Sequence, residues 1–169
     1  MRQQKYKMPR RDFRINKLVP AIKKTMLVFS VMSFSLLLMS AGWRTDFDRA
    51  KEEAKESKKQ ILLSFSGSDW CIPCIKTRKE IFEKESFIKF AETSLVLVNA
   101  DFPRLKKNSL STEQTKQNEA LAERYNKDGI FPFTLLLNAN GTVLKEWRGF
   151  PDMTPEIFVS QIKDFEHTN

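Results

Sequence analysis

The chain has 169 residues, enough for one domain with an appendage, and its composition (41% apolar, 30% charged) is ordinary for a globular protein. The formal net charge of +8 first suggests a nucleic-acid partner. Residues 1–42, however, carry nine of the 29 basic side chains and one of the 21 acids, which leaves 20 of each sign in residues 43–169. The body is near neutral, so a nucleic-acid function loses its main support.

The basic excess precedes an apolar run, Met26 to Trp43, that contains no charge and ends in small residues. This is the pattern of a secretory signal, with Ser40 and Gly42 suited to a cut before Trp43. An uncleaved membrane anchor is the other reading, because the run is close to the lower length limit for a span. Both readings leave the basic end in the cytoplasm and export the body. The expected organisation is therefore residues 1–42 as signal peptide or anchor and residues 43–169 as the exported domain.

Thr45 to Lys59 reads as a surface helix, with Thr45 at its start and Phe47, Ala50 and Ala54 on one face. Gln60 to Ser66 is a short apolar run bounded by a lysine pair and Gly67, hence a buried strand. Helical spacing runs from Ile75 to Phe90, with a break near Ser86. Leu95 to Asp101 is a second buried strand, followed by a polar, basic loop from Phe102 to Thr112. Thr112 to Asn126 is a helix with Ala120, Leu121 and Tyr125 directed inward. Phe133 to Asn138 and Thr142 to Trp147, joined through Ala139-Asn140-Gly141, form a β-hairpin. Thr154-Pro155-Glu156 opens a last helix that reaches about Phe165. Strands that alternate with helices imply parallel pairing. The expected fold is α/β: a mixed, mainly parallel sheet of about four strands, helices on both faces and a C-terminal hairpin.

The only two cysteines, Cys71 and Cys74, sit three apart between the first strand and the next helix. Cys71 falls in the first helical turn, where unpaired N–H groups and the helix dipole favour a thiolate. Cys74 lies one turn on, within disulfide reach, and is expected to be the more buried, resolving thiol. Pro73, early in the helix, stiffens the turn without losing a hydrogen bond. Trp70 offers apolar contact to a docking substrate. A structural staple closing so small a loop removes little unfolded-state entropy. A metal centre lacks ligands, since the sole histidine, His167, is third from the C-terminus; no metal is expected. Inert thiols also remain open, but the position favours a redox pair.

Pro132, in Gly129 to Leu137, stands at a strand entry and marks a special turn. With this turn placed after a strand, "WCIPC" and a helix, the chain resembles the thioredoxin superfamily. The further stretches "LVLVNADFPR", "TEQTKQNEALAERYN" and "RGF" make it similar to exported bacterial proteins related to the C-terminal domain of DsbD-type thiol transporters. The resemblance covers about Phe47 to Phe165. It implies a thioredoxin fold, a cis peptide bond before Pro132, packing of Pro132 against the cysteine pair, and a substrate strand pairing with the backbone of Phe131. Two family acids are replaced: Ser64 stands where thioredoxins bury an Asp, and Arg78 where DsbD-like domains have a Glu. Arg78 then either stabilises a thiolate or lies on the solvated face, and Ser64, a water or Glu80 relays the proton.

These observations together imply a periplasmic or cell-envelope thiol–disulfide oxidoreductase. Its partners would be protein thiols or disulfides and an upstream thiol donor, with membrane contact only through an uncleaved anchor and a monomer as the expected state. No cofactor is implied beyond the redox-active disulfide Cys71–Cys74. Proline before the second cysteine resembles reducing members of the superfamily, so reductase is favoured over oxidase. A non-catalytic binding module of the same fold is the alternative, and copper handling a third reading.

Overall fold

The computed structural model describes residues 42–165. The signal or anchor, except for Gly42, and His167 lie outside the described residues. The elements follow in chain order. They are α1 (Phe47–Ser57), β1 (Gln60–Ser66), α2 (Ile72–Thr77), one wide π-helical turn (Arg78–Phe82), and α3 (Glu85–Ser94). Next come β2 (Leu95–Asp101), α4 (Thr112–Tyr125), β3 (Phe133–Leu137), β4 (Val143–Arg148) and α5 (Pro155–Lys163).

The strands form one four-stranded sheet in the order β2-β1-β3-β4. Side chains alternate across β1, as the period of a strand requires. Ile61, Leu63 and Phe65 join Phe47, Ala50, Ala54 and Leu121 on the face covered by α1 and α4. Leu62 joins Phe87, Ala91, Phe158 and Ile162 on the face covered by α3 and α5. Strands β1, β2 and β3 are buried between two helical layers, whereas the edge strand β4 buries only Trp147, and the mixed character of the sheet is as expected.

The pairing differs in one respect. β1 and β2 are parallel, but β1–β3 and β3–β4 are both antiparallel, so the sheet is not mainly parallel. The reason lies in the connection from β2 to β3. Asn118 of α4 donates to the carbonyl of Asp101, at the end of β2, while Tyr125 reaches Gly141 in the hairpin at the opposite end of the sheet. A helix of 14 residues covers about 21 Å. Residues 126–132 then lead back, and β3 enters on the far side of β1, at the end of the sheet where β2 exits, with Phe133 opposite Phe65 of β1. Helix and return segment cancel along the strand direction, so the connection crosses β1 and delivers β3 antiparallel to it.

Local differences have equally local causes. Asp46, not Thr45, caps α1, because its carboxylate accepts from the N–H of Arg49. The helical run breaks near Ser86 as expected, at Glu83 and Lys84, just after the π-helical turn ends at Phe82. Ala120 faces solvent; Asn118 and Leu121 are the buried residues of α4, and Tyr125 is half-buried.

Candidate redox site

The sequence places Cys71 one residue ahead of α2, as its N-cap. Cys71 and Cys74 are joined by a disulfide, with an S–S distance of 2.06 Å. The backbone N–H of Cys74 donates to Sγ of Cys71 at 3.2 Å, so one of the helix's unpaired donors is aimed at that sulfur. Pro73 follows in the first turn, where a missing N–H costs nothing. Burial does not rank the two cysteines as expected. Cys71 is 3% exposed and Cys74 6%, so both residues are buried.

What separates them is their surroundings. A cavity of about 200 Å³ opens beside Cys74, lined also by Ser64, Ser66, Thr77, Arg78, Asn99 and Pro132. Its polar wall follows from strand alternation. The rows Leu62-Ser64-Ser66 of β1 and Leu97-Asn99-Asp101 of β2 share one face and turn polar toward their C-terminal ends. Ser66 Oγ lies 2.8 Å from Asn99 Oδ1 and 3.0 Å from the carboxylate of Asp101. The same carboxylate accepts from the N–H and hydroxyl of Ser68. Arg78 borders the cavity, is half exposed, and pairs with Glu83 at 3.3 Å. Glu80 pairs with Lys76 instead and does not line the cavity.

Pro132 is buried against this cavity, and the Phe131–Pro132 peptide bond is cis, as the resemblance implied. Phe131 meets Trp70 edge-on, with ring centroids 5.5 Å apart, and Phe102 at 5.4 Å. Trp70 is half-buried. Its indole N–H donates to the carbonyl of Phe102 at 2.7 Å, and the ring lies so close over Gly67 that a Cβ there would sit 2.3 Å from Cε2. The aromatic wall beside the motif is therefore built by Trp70, Phe131 and Phe102 together.

Sequence reasoning passed over Asp69. Its carboxylate accepts from the N–H groups of Arg104 and Leu105 and from the Asn108 side chain, each at 2.9 Å. These bonds, led by that of Arg104, hold its pKa below the ordinary value. A short acid flanking the motif, with a polar, basic loop to follow, was the available signal.

The model of the thioredoxin-like family matches residues 42–139, the span from the lead into α1 through β3 that contains both cysteines and Pro132. The chain belongs to the thioredoxin-like family. Among its relatives in this family is the disulfide bond reductase DsbH of Chlamydia pneumoniae. The two are 36% identical over 117 residues, which are 69% of this chain and 68% of the relative. A solved DsbH oxidoreductase superposes with a TM-score of 0.67 and 34% identity, covering 76% of this chain and 85% of that one. The C-terminal domain of DsbD from Neisseria meningitidis, in its oxidised form, shares the fold at a TM-score of 0.50 and 18% identity, over 73% of this chain and 98% of the domain. Among the described residues of this thioredoxin-like chain, no group of three His, Cys, Asp or Glu side chains is placed to hold a metal ion.

Proposed function

We propose that this protein is a thiol–disulfide oxidoreductase that reduces protein disulfides, with Cys71 as attacking thiolate and Cys74 as resolving thiol. The observation that carries the roles is the N–H of Cys74 aimed at Sγ of Cys71. A thiolate accepts such a bond more strongly than a disulfide sulfur does. In the reduced protein, Cys71 Sγ attacks one sulfur of the substrate disulfide, and the other leaves as a thiolate. Cys74 Sγ, once deprotonated, attacks Cys71 Sγ and expels the second substrate thiolate. Two electrons pass to the substrate, and the Cys71–Cys74 disulfide remains. An upstream thiol donor, itself oxidised, restores the dithiol.

The surroundings of the pair support this assignment. Cys74 faces a cavity large enough for water, mostly apolar (Trp43, Ile75 and Phe82 among its walls) but with Ser64 and Ser66 on one side, and these hydroxyls offer its proton a route. Phe131, beside Trp70, has no backbone hydrogen-bond partner among the described residues, so an extended substrate segment can pair there. No cofactor is needed beyond the cysteine pair.

The basic segment and apolar run of residues 1–42 support export to the periplasm or cell envelope, cleaved or anchored. Cell fractionation with N-terminal sequencing tests this: recovery from the cytosol with the N-terminus intact would overturn it. The reaction is tested by reduction of insulin with dithiothreitol as donor, for the wild type and for Cys71→Ser. Activity in the wild type alone is expected; a folded but inactive wild type would defeat the proposal.

A further inference from the structure

The basic loop between β2 and α4 is fixed to the cysteine motif at two points. Asp69, two residues before Cys71, binds the backbone of Arg104 and Leu105 and the side chain of Asn108. Trp70, the next residue, donates its indole N–H to Phe102. A solvated connection has no need of such attachment. Here the residues that position the redox turn also position the loop.

This attachment prepares one cation in particular. The guanidinium of Arg104 lies 3.7 Å from the centroid of the Trp70 ring, stacked beside the residue that adjoins Cys71. Arg44, Arg78 and Arg148 each face a carboxylate, whereas Arg104 has no ion-pair partner among the described residues. Stacking fixes the plane of the guanidinium and leaves its N–H edge to bind a carboxylate from outside. Lys106 and Lys107, exposed on the short helical turn Lys106–Asn108, add positive potential without ion-pair partners among the described residues. The two nearby acids are engaged: Asp69 and Asp101 each accept three hydrogen bonds from the protein. Apolar contact is available next to both groups in the chain, since Ile72, after Cys71, is 77% and Leu105, after Arg104, is 48% exposed.

We propose that this loop is a substrate-selecting element that favours protein disulfides whose reactive cysteine is flanked by acidic side chains, with Arg104 as the specificity-determining residue. The proposal rests on the reading that Cys71 exchanges with protein disulfides. The acid pairs with the stacked guanidinium while the substrate cysteine approaches Cys71, and the lysines steer the encounter.

The test uses two synthetic peptide disulfides that differ only in carrying Glu or Lys beside the cysteine. The wild type is expected to reduce the Glu peptide with roughly tenfold higher kcat/KM at low salt. That preference should shrink at high salt, collapse in Arg104→Gln and partly return in Arg104→Lys. Equal rates on the two peptides in the wild type, or a preference that survives high salt, would overturn the proposal without needing any variant. A preference untouched by Arg104→Gln would overturn the role of Arg104. Reduction of neither peptide would overturn the oxidoreductase reading and this one with it.

Discussion

Cys74 donates its backbone N–H to Sγ of Cys71 across 3.2 Å, so the two cysteines are coupled through the main chain as well as through their disulfide. The consequence is a division of labour that single substitutions expose. Cys71→Ser should lower disulfide reduction by about a thousandfold or more, since the nucleophile is gone. Cys74→Ala keeps the backbone donor and should accumulate mixed disulfides on Cys71. Non-reducing electrophoresis with mass spectrometry separates the two outcomes; equal trapping by both variants would contradict the assignment.

Arg78 borders the cavity beside Cys74. Its ion pair with Glu83 is half exposed, so Arg78→Gln should change stability by less than about 1 kcal/mol. Removing a cation near Cys74 disfavours its thiolate. The pH midpoint of mixed-disulfide resolution, followed by stopped-flow, should therefore move upward in the variant. An unchanged profile would place Arg78 on the solvated face with no part in the exchange.

Asp69 has a depressed pKa in the folded protein, chiefly through the Arg104 N–H bond. A depressed carboxylate contributes stability above its unfolded value, near 3.8, and loses it as pH falls through the lower folded value. The loop should therefore stay attached at neutral pH and loosen only in acid below that range. Amide shifts of Arg104 and Leu105, followed by NMR during acidification, should report the release together. In Asp69→Asn they should show no such transition.

Gly67 lies directly under the Trp70 indole. Gly67→Ala cannot be accommodated unless the ring moves, which threatens its hydrogen bond to Phe102. The expected cost is about 1–3 kcal/mol in denaturant unfolding, with a changed tryptophan fluorescence spectrum. A variant as stable as the wild type would show that the indole has room to shift.

Phe158 is fully buried and meets Trp147 at 4.5 Å, Phe82 at 5.9 Å and Phe87 at 6.1 Å between ring centroids. Phe158→Ala should cost about 3–5 kcal/mol. Thermal unfolding measures this, and a loss below about 1 kcal/mol would mean that α5 contributes little to the core.

The sequence carried what depends on neighbours along the chain. Alternation and apolar runs located β1, β2 and the hairpin, and Thr154 before Pro155 marked the start of α5 because capping is a local hydrogen bond. The strand–Cys–helix order alone put Cys71 at a helix N-terminus, and its spacing to Cys74 put a disulfide within reach. Other features required contacts between distant segments. The antiparallel entry of β3 depends on where α4 docks, and no periodicity records that. The polar wall of the cavity beside Cys74 exists because residues of β1 and β2 come into register, Ser64 opposite Asn99 and Ser66 opposite Asp101. The attachment of the basic loop depends on Asp69 meeting residues 35 and more positions away. Hydrogen bonds along one turn are legible in a sequence, whereas those that join two turns are decided only when the sheet brings them together.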